Sequence, residues 1–503
     1  MTIDSPTTSV KDQLTATPTP VSRWRLPLLC ALLLASIGVS IAMAQNAAPS
    51  DKPVIPADFL RLYFLNFLPY LAACFVILRM RPPSGRQRQV ELGLILLGGL
   101  VLRALLLPLP PNLSHDSWRY LWDARVTLHG YSPYVYAPDD SLFANLRDFI
   151  YNNSRFRNVP TIYPPGAQAS YLLSYLLAPS NLYVLKGIFM LFDLATCVTL
   201  MLLLKQWGLD PARAVLYAWC PLPIVEFALQ GHVDALPIAF TMLTLLAASS
   251  DRRGARALTG FFLAMATLTK LYPLLFLVAV IRRRDWTLLL TCFATIALAY
   301  LPYLILGHGQ VLGFFSTYAS EHQPNAGPVQ LIISWLNTNL GFHAKRTTLT
   351  EYAVDGLLVG ATLLTLLILR LRSRISMEAA TLILLGVIFV VSSHIYPWYT
   401  AAILPLVALL LTSLWRRTPY QTTQGGMMLG RRLPAPSSKG LAVAFAWYFA
   451  CITPLSYFYG LTTDWSLYYL LVYDIPLLGL ALAALIELVQ WGRKRQFKPS
   501  PLL

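Results

Sequence analysis

Long apolar stretches run through most of the chain and are separated by short polar segments rich in arginine and lysine. Most of the apolar stretches have roughly 17–25 residues, the length that a helix needs to cross a hydrocarbon layer of about 30 Å. The pattern therefore predicts an all-α polytopic membrane protein with about 11–13 transmembrane helices. The predicted spans are 26–44, 58–78, 90–108, 182–204, 211–229, 233–250, 286–306, 352–370, 376–391, 397–414, 440–460 and 467–490.

Two apolar segments are awkward as simple spans. Residues 166–178 are too few to cross the membrane and predict a half-helix, whereas 257–281 predicts a hairpin of two short helices bent near Pro273. Broken helices are tolerated at membrane depth only where they pack inside protein or line a polar cavity. These two segments therefore indicate a cavity that opens on the outer side.

Composition agrees with a membrane protein and explains the basic charge. Of the 503 residues, 56% are hydrophobic and only 12% are charged, against about 25% charged in a typical soluble domain. The net charge of +16 comes from basic clusters between spans, which the positive-inside rule places in the cytoplasm, so no nucleic-acid partner is needed. The six cysteines all lie in or beside apolar segments without a CxxC pair, so neither a disulfide framework nor a zinc site is predicted.

Charge segregation also predicts the organisation of the chain. The first span follows Arg23 and Arg25 and is expected to remain uncleaved because many spans follow it. The transmembrane module includes two extracytoplasmic loops, 109–165 and 307–351. The predicted parts are a disordered cytoplasmic tail at 1–22, the transmembrane module at 23–414, a cytoplasmic loop at 415–439, a C-terminal transmembrane pair at 440–490 and a basic cytoplasmic tail at 491–503.

With the basic clusters inside, the polar motifs of the apolar regions gather on the outer face. They are NLSHDSWRYLWDARVTLHGYSPYVYAP (112–138), EFALQGHVDALP (226–237), TLTKLYP (267–273) and SSHIYPWYT (392–400). Each has an ordinary explanation on its own, since aromatic residues favour membrane interfaces and lysines extend towards headgroups. Ionisable groups at membrane depth are nevertheless costly and usually functional. Four such motifs on one face predict a shared pocket.

The first of these motifs predicts a helix over 115–129, with Ser114 as its N-cap and Gly130 just beyond its end. Helical spacing places four polar residues on one face: Asp116, Arg119, Tyr120 and Asp123. The flank of the helix is suited to the membrane interface and consists of Trp118, Leu121, Trp122 and Arg125. A carboxylate, a guanidinium and a phenol on one face suit the binding of a hydroxyl-bearing or phosphate-bearing molecule.

These motifs resemble those of the GT-C superfamily of membrane glycosyltransferases. The string HDxxRYxWD, followed by GxxPYxYAP and IYPPxAQ, is similar to the bacterial branch related to glycosyltransferase family 87 and to polyprenyl-phosphate-mannose-dependent mannosyltransferases. Matching segments follow in order at 217–235, 266–277 and 393–405, so the resemblance covers about residues 90–410. The chain departs from the family forms WDGR, GxNPY and WNP, and these departures bear on the particular substrate. The departing residues are Ala124, Ser132 and Cys220.

The resemblance implies a GT-C-type bundle with short half-helices around an outward cavity, in the plasma membrane. It also implies inverting transfer of a hexose, mannose above all, from a polyprenyl-phosphate sugar to a glycan or glycolipid acceptor on the extracytoplasmic face. The position that matches the family's general base is Asp116, with Asp123 as the alternative. A base is needed because a sugar hydroxyl is a weak nucleophile.

The leaving lipid phosphate needs cations or hydrogen-bond donors around it. The residues expected to bind it are Lys270, Arg119, His232 and His394. The residues expected to bind the sugar or the acceptor are Asp123, Tyr120, Tyr163, Glu226, Asp234, Tyr396 and Trp398.

No DxD motif occurs in the chain, so neither a metal nor another cofactor is predicted, and no oligomeric state is indicated. The loop at 307–351 is either a lid over the acceptor or an ordinary solvated loop; its polar residues are His308, Glu321, His322 and His343. Two other functions share an outward polar cavity with a glycosyltransferase. One is a lipid or solute transporter or flippase, which should also expose polar sites on its second face, and the other is a polymer ligase.

Overall fold

The computed structural model describes residues 20–47, 57–314, 324–340, 344–411, 438–459 and 464–496, together with four two-residue strands between 415 and 436. Several predicted features lie outside these residues: the tail to residue 19, most of the 415–439 loop, the end of the basic tail, and Glu321, His322 and His343 of the predicted lid. The strands pair antiparallel as Trp415–Arg416 with Ala435–Pro436 and Tyr420–Gln421 with Met427–Met428.

Within these ranges, eight helices are long and apolar enough to cross a membrane, which confirms the prediction of an all-α polytopic membrane protein. They are Arg23–Gln45, Ala57–Arg79, Gly85–Leu106, Leu182–Gln206, Trp286–Leu306, Tyr352–Leu371, Ser438–Phe458 and Ser466–Gln490. Three predicted spans appear as shorter apolar helices: Ala235–Ala248, Met377–Val391 and Pro397–Leu410.

A broken pair of helices, Pro211–Ala218 and Pro221–Leu229, bends by 52° and could form a ninth span. The break falls just before Pro221, whose ring disfavours helical backbone at the preceding residue. The second piece ends as a π-helix over Ile224–Leu229. The chain then turns sharply at Gly231, whose φ of +71° is left-handed backbone that favours glycine. We call residues 230–234 the acid turn.

Two short segments were predicted not to cross, and both are short in the structure. The half-helix is Pro165–Leu177. Its first amides, Gly166 N and Ala167 N, donate hydrogen bonds to Leu268 O at 2.8 and 3.1 Å. The helix Ala255–Thr267 is followed by a 3₁₀ turn at Tyr272–Phe276, as the predicted bend near Pro273 requires. The half-helix is therefore docked against the turn that carries Lys270.

The outer-loop helix is Asp116–Leu128, one residue shorter at each end than predicted. Gly130, with a φ of +81°, terminates it as expected. The N-cap is His115 rather than Ser114, although the Ser114 hydroxyl still accepts a hydrogen bond from Asp116 N at 3.3 Å. The remaining parts of this loop include a 3₁₀ turn at Ser141–Leu146 and a short helix at Phe149–Asn153.

The prediction that one flank of the outer-loop helix lies at the membrane interface is wrong. That flank is buried at all four positions: Trp118, Leu121, Trp122 and Arg125. The rest of the outer loop covers it, with Phe149 packed edge-on against Trp118 and Phe143 against Trp122. The outer loop therefore folds as a small packed unit over the half-helix.

On the predicted cytoplasmic side, two arginines and two acids form a closed network. Arg25 Nε lies 2.5 Å from Glu91 Oε1, and Arg25 Nη2 lies 2.9 Å from Asp210 Oδ2. Arg88 pairs with the remaining oxygens of both acids, at 2.5 Å from Glu91 Oε2. We call these four residues the inner network. It joins the first span, the third span and the turn before Pro211.

Candidate active site

The outer-loop helix meets the acid turn at Asp116. This carboxylate is the first residue of its helix, and its side chain is 17% exposed. Asp116 Oδ2 lies 4.0 Å from His232 Nδ1. A carboxylate at a helix start is stabilised by the helix dipole, so the local structure favours an anionic group at this position.

His232 lies behind Asp116 and is fully buried. Its ring stacks on Trp398, with centroids 3.8 Å apart and planes at 15°. On the far side of the ring, His232 Nε2 lies 3.5 Å from Glu226 Oε2. Neither ring nitrogen donates a hydrogen bond to any residue that the structure describes. The imidazole therefore lies between the carboxyl groups of Asp116 and Glu226, and its stacking on Trp398 fixes the plane of the ring.

Glu226 is also fully buried, on the π-helix that precedes the acid turn. Its two oxygens each accept from the Tyr457 hydroxyl at 3.0 Å. Tyr457 comes from Ser456–Tyr459, in the C-terminal part of the chain for which the motifs offered no support. Because Glu226 and His232 lack solvent access, the predicted direct contacts with sugar and phosphate do not fit their positions. The structure places them behind Asp116 instead.

An ion pair between Lys270 and Asp234 lies beside these residues. Lys270 Nζ lies 3.1 Å from Asp234 Oδ1 and 4.1 Å above the centre of the Tyr399 ring. The Lys270 side chain is 16% exposed, whereas Asp234 is buried. A lysine ammonium has three donors, so the pair with Asp234 does not use all the donors of Lys270.

Two buried side chains hold the acid turn against the start of the outer loop. Gln230 Oε1 accepts hydrogen bonds from three successive backbone amides, those of residues 112, 113 and 114, at 3.1, 3.0 and 3.3 Å. Lys186 Nζ donates to Leu107 O and Leu109 O at 2.7 and 2.6 Å. The Lys186 stem lies so close to Gly231 that a Cβ there would meet Lys186 Cγ at 2.8 Å. These contacts set where Asp116 lies relative to His232.

Asp123, the alternative candidate for the general base, is buried and bound by other side chains of the protein. Arg119 Nε pairs with Asp123 Oδ1 at 2.7 Å, and Gln168 Nε2 donates to Asp123 Oδ2 at 3.2 Å. The other Arg119 nitrogens donate to Phe156 O and Val159 O at 2.5 and 2.9 Å. Because its donors are directed at Asp123 and at loop carbonyls, Arg119 does not fit the predicted role of phosphate binder. The predicted polar face therefore divides: Asp116 is partly exposed, whereas Arg119, Tyr120 and Asp123 are buried.

The predicted aromatic ligands pack mostly on one another. Tyr120 stacks on Tyr171 with centroids 4.5 Å apart, and its hydroxyl lies 3.3 Å from that of Tyr163. Trp398 lies between His232 and Tyr396, which stacks on it at 4.5 Å. Both faces of the Trp398 ring are therefore covered, which leaves no face for a sugar.

His394 continues this column of rings, with its centroid 5.8 Å from that of Tyr396. Its Nδ1 lies 2.8 Å from Ser393 Oγ. The column links the predicted outer turn at 392–400 to the acid turn. Its role in the geometry is to fix the plane of His232.

Burial raises the pKa of the Asp116 carboxyl above its usual range. Arg155 and Lys270 act against the rise, whereas Asp234 adds to it. Arg155 is an exposed residue of the outer loop that the motifs did not single out. The available signal was its position, because arginine in an outer loop runs against the positive-inside rule. Gln230 and Tyr457 were also missed, and for Tyr457 the sequence contains no distinguishing signal.

The family model of glycosyltransferase family 87 matches residues 161–394. The matched segment is slightly less than half of the chain, and over this segment the chain is similar to glycosyltransferase family 87. This similarity supports a membrane glycosyltransferase, the class that the motifs indicated. No curated protein matches the chain.

The matched region contains Glu226, His232 and Lys270, whereas Asp116 precedes it and Tyr457 follows it. The site thus combines the family region with the segments on both sides. Within the described ranges, no group of three or more His, Cys, Asp and Glu side chains could hold a metal ion. The prediction of a reaction without metal or other cofactor stays a prediction.

Proposed function

We propose that this protein transfers a hexose, mannose in the first instance, from a polyprenyl-phosphate sugar to an acceptor hydroxyl. The transfer takes place with inversion on the extracytoplasmic face of the plasma membrane, and Asp116 is the general base. One observation carries the assignment of the base. Of the two acids on the outer-loop helix, Asp116 is partly exposed and lies 4.0 Å from the His232 ring, whereas Asp123 is bound by Arg119 and Gln168.

In the proposed reaction, Asp116 removes the proton of the acceptor hydroxyl as its oxygen bonds to the anomeric carbon. The bond from that carbon to the phosphate oxygen breaks, and the lipid phosphate leaves with the electron pair. The positive charges of Lys270 and Arg155 both lower the pKa of Asp116. We propose that these two residues bind the leaving phosphate. Preorganised positive charge of this kind stabilises the charge that develops as the bond breaks.

An apolar groove supports a lipid-linked donor. Its volume is about 360 Å³, and it lies between the half-helix and the span Trp286–Leu306. Its lining includes Gly166, Ala169, Leu268 and Tyr303. Leu268 is two residues from Lys270, so the groove begins beside the proposed phosphate site. An isoprenoid chain lying in it would place its phosphate at Lys270.

The experiment measures transfer of labelled mannose from polyprenyl-phosphate mannose by membranes that contain the Asp116→Asn variant. Activity should fall by about 10²–10⁴-fold, the contribution expected of a general base. The matched control is Asp140→Asn, an acid of the same outer loop that caps Leu142 N. Full transfer activity in Asp116→Asn, at equal membrane content, would refute the assignment of the base.

A further inference from the structure

The buried pair of Glu226 and His232 has an unusual balance of charge. Three carboxyl groups surround the acid turn, and Lys270 is paired with Asp234 alone among the described acids. Among the residues that the structure describes, no lysine or arginine forms an ion pair with Glu226. An isolated buried carboxylate is strongly disfavoured. The pair must therefore hold a proton in addition to the one that a neutral imidazole carries.

Within the described part of the chain, the groups that face Glu226 include no compensating cation. They are His232 at 3.5 Å, the Tyr457 hydroxyl at 3.0 Å, and Tyr63 and Asp234 nearby. Two other buried cations have partners of their own. Lys186 binds two backbone carbonyls, and Arg103 pairs with Asp193 at 2.5 Å.

The location of the extra proton follows from the two sides of the imidazole. His232 Nδ1 faces the Asp116 carboxylate, so a lone pair on Nδ1 would repel it. Nδ1 therefore carries hydrogen, which leaves Nε2 as an acceptor in the neutral ring. A neutral Glu226 can donate to that nitrogen, and this arrangement buries no ion pair, whose desolvation would be costly.

We propose that Glu226 is protonated and donates its Oε2–H to His232 Nε2, which fixes His232 as the Nδ1–H tautomer directed at Asp116. The Tyr457 hydroxyl lies 3.0 Å from both Glu226 oxygens, and Oε2 is assigned the proton because it is the oxygen that lies 3.5 Å from His232 Nε2. Glu226 and Tyr457 are then positioning residues, and His232 orients the base. The functional part of this inference rests on the proposed role of Asp116. A carboxylate held in a fixed orientation is correctly placed to remove the proton of the substrate hydroxyl.

The decisive variants are Glu226→Gln and Glu226→Leu, compared in the full-length protein. A glutamine amide N–H can replace the acid O–H as donor to His232 Nε2, whereas leucine cannot. We expect Glu226→Gln to retain kcat within about threefold of the natural enzyme at neutral pH. Glu226→Leu should lower kcat by about 10–100-fold, as loss of an orienting partner does, with KM for the lipid-linked donor unchanged.

Infrared spectroscopy tests the proton without any assay of activity. The difference spectrum between the natural protein and Glu226→Gln, recorded in detergent at neutral pH, should contain the carbonyl stretching band of a protonated carboxyl group. Absence of that band overturns the inference, as does a folded Glu226→Gln variant that loses more than about tenfold in kcat. Retained activity in Asp116→Asn would instead refute the base while leaving the infrared result intact, so the two failures are distinguishable.

Discussion

We call the candidate active site the outer site; it consists of Asp116, Glu226, His232, Asp234 and Lys270. The inner network and the outer site both bury several charged groups, but they differ in how those groups are paired. In the inner network each acid meets two arginines, and the Arg25 guanidinium also donates to Met80 O at 2.5 Å. In the outer site a single lysine pairs with Asp234, and no described lysine or arginine forms an ion pair with Glu226. Every acid of the inner network is therefore paired with arginines, whereas Glu226 of the outer site has no described lysine or arginine as partner.

The contrast separates a structural role from a functional one. Charges that satisfy each other fully join helices and have no donor or acceptor left for a substrate. Buried polar groups without partners cost stability, so their presence at the outer site indicates that another requirement outweighs that cost. In the proposed reaction, that requirement is met by a substrate hydroxyl and a leaving phosphate, which arrive only during turnover.

The largest expected effect on stability comes from removing one acid of the inner network. Replacing Glu91 by leucine leaves the buried Arg25 with half of its acidic partners, and removal of one member of a buried pair costs about 3–5 kcal/mol. The free energy of unfolding in detergent, measured by denaturant titration, should fall by this amount. Transfer activity per folded molecule should remain that of the natural enzyme.

The control for Glu91→Leu is Asp58→Asn, which breaks an exposed ion pair with Arg61. An exposed pair contributes about 0–1 kcal/mol, so this variant should unfold almost like the natural protein. Equal destabilisation of both variants would show that the inner network is no more stabilising than a surface pair. The inner network would then lose its structural role.

A smaller effect is expected from Gly231→Ala in the acid turn. Left-handed backbone costs a residue with a Cβ about 1–2 kcal/mol, and the new methyl group would also displace Lys186. Displacing the turn moves His232 away from Asp116, so kcat should fall by about tenfold or more. The measurements are thermal unfolding and donor kinetics on the same preparation.

Gly130→Ala provides the matched control. Gly130 has a φ of +81°, and no described atom lies within 4 Å of the position that the new methyl group would take. This variant should show similar backbone strain and unchanged kcat. If Gly130→Ala lowers kcat as much as Gly231→Ala does, crowding against Lys186 is not what holds the site.

The smallest expected effect is a change in pH dependence. Burial raises the pKa of Asp116, and the base acts only when ionised, so activity should rise with pH through a higher range than for an exposed aspartate. Arg155 lowers this pKa. Arg155→Ala should therefore move the acid limb of the kcat profile to still higher pH, and the shift should shrink at high salt because the arginine is exposed.

Arg157→Ala is the control for that shift. Arg157 lies two residues further along the same loop, over the ring of Tyr151 at 5.0 Å, and it is not among the groups that shift the pKa of Asp116. Its acid limb should coincide with that of the natural enzyme. An unmoved limb in Arg155→Ala would remove Arg155 from the outer site.

The sequence was most informative where a local rule applies. Span length and charge segregation predicted the membrane class, and helical spacing predicted the outer-loop helix to within one residue at each end. The order of motifs predicted the family. The spacing that placed Asp116, Arg119, Tyr120 and Asp123 on one face could not show that the first is partly exposed whereas the other three are buried.

The reason is that periodicity describes one helix, whereas accessibility depends on what packs against it. Arg119 and Asp123 are covered by the loop at 156–159 and by Gln168 of the half-helix. The flank with Trp118 and Trp122 has the composition of an interfacial surface, and it becomes interior only because the remainder of the outer loop packs over it.

By itself, the sequence predicted that this chain spans a membrane, resembles the GT-C glycosyltransferases and carries an acid near the start of a helix between two apolar segments. Those properties depend on hydrophobic length, on charge and on short motifs, all of which are local. Only the tertiary structure decided which acid is accessible and which groups stand behind it. Glu226, His232 and Tyr457 come from distant parts of the chain, and their common burial exists only once the helices have packed.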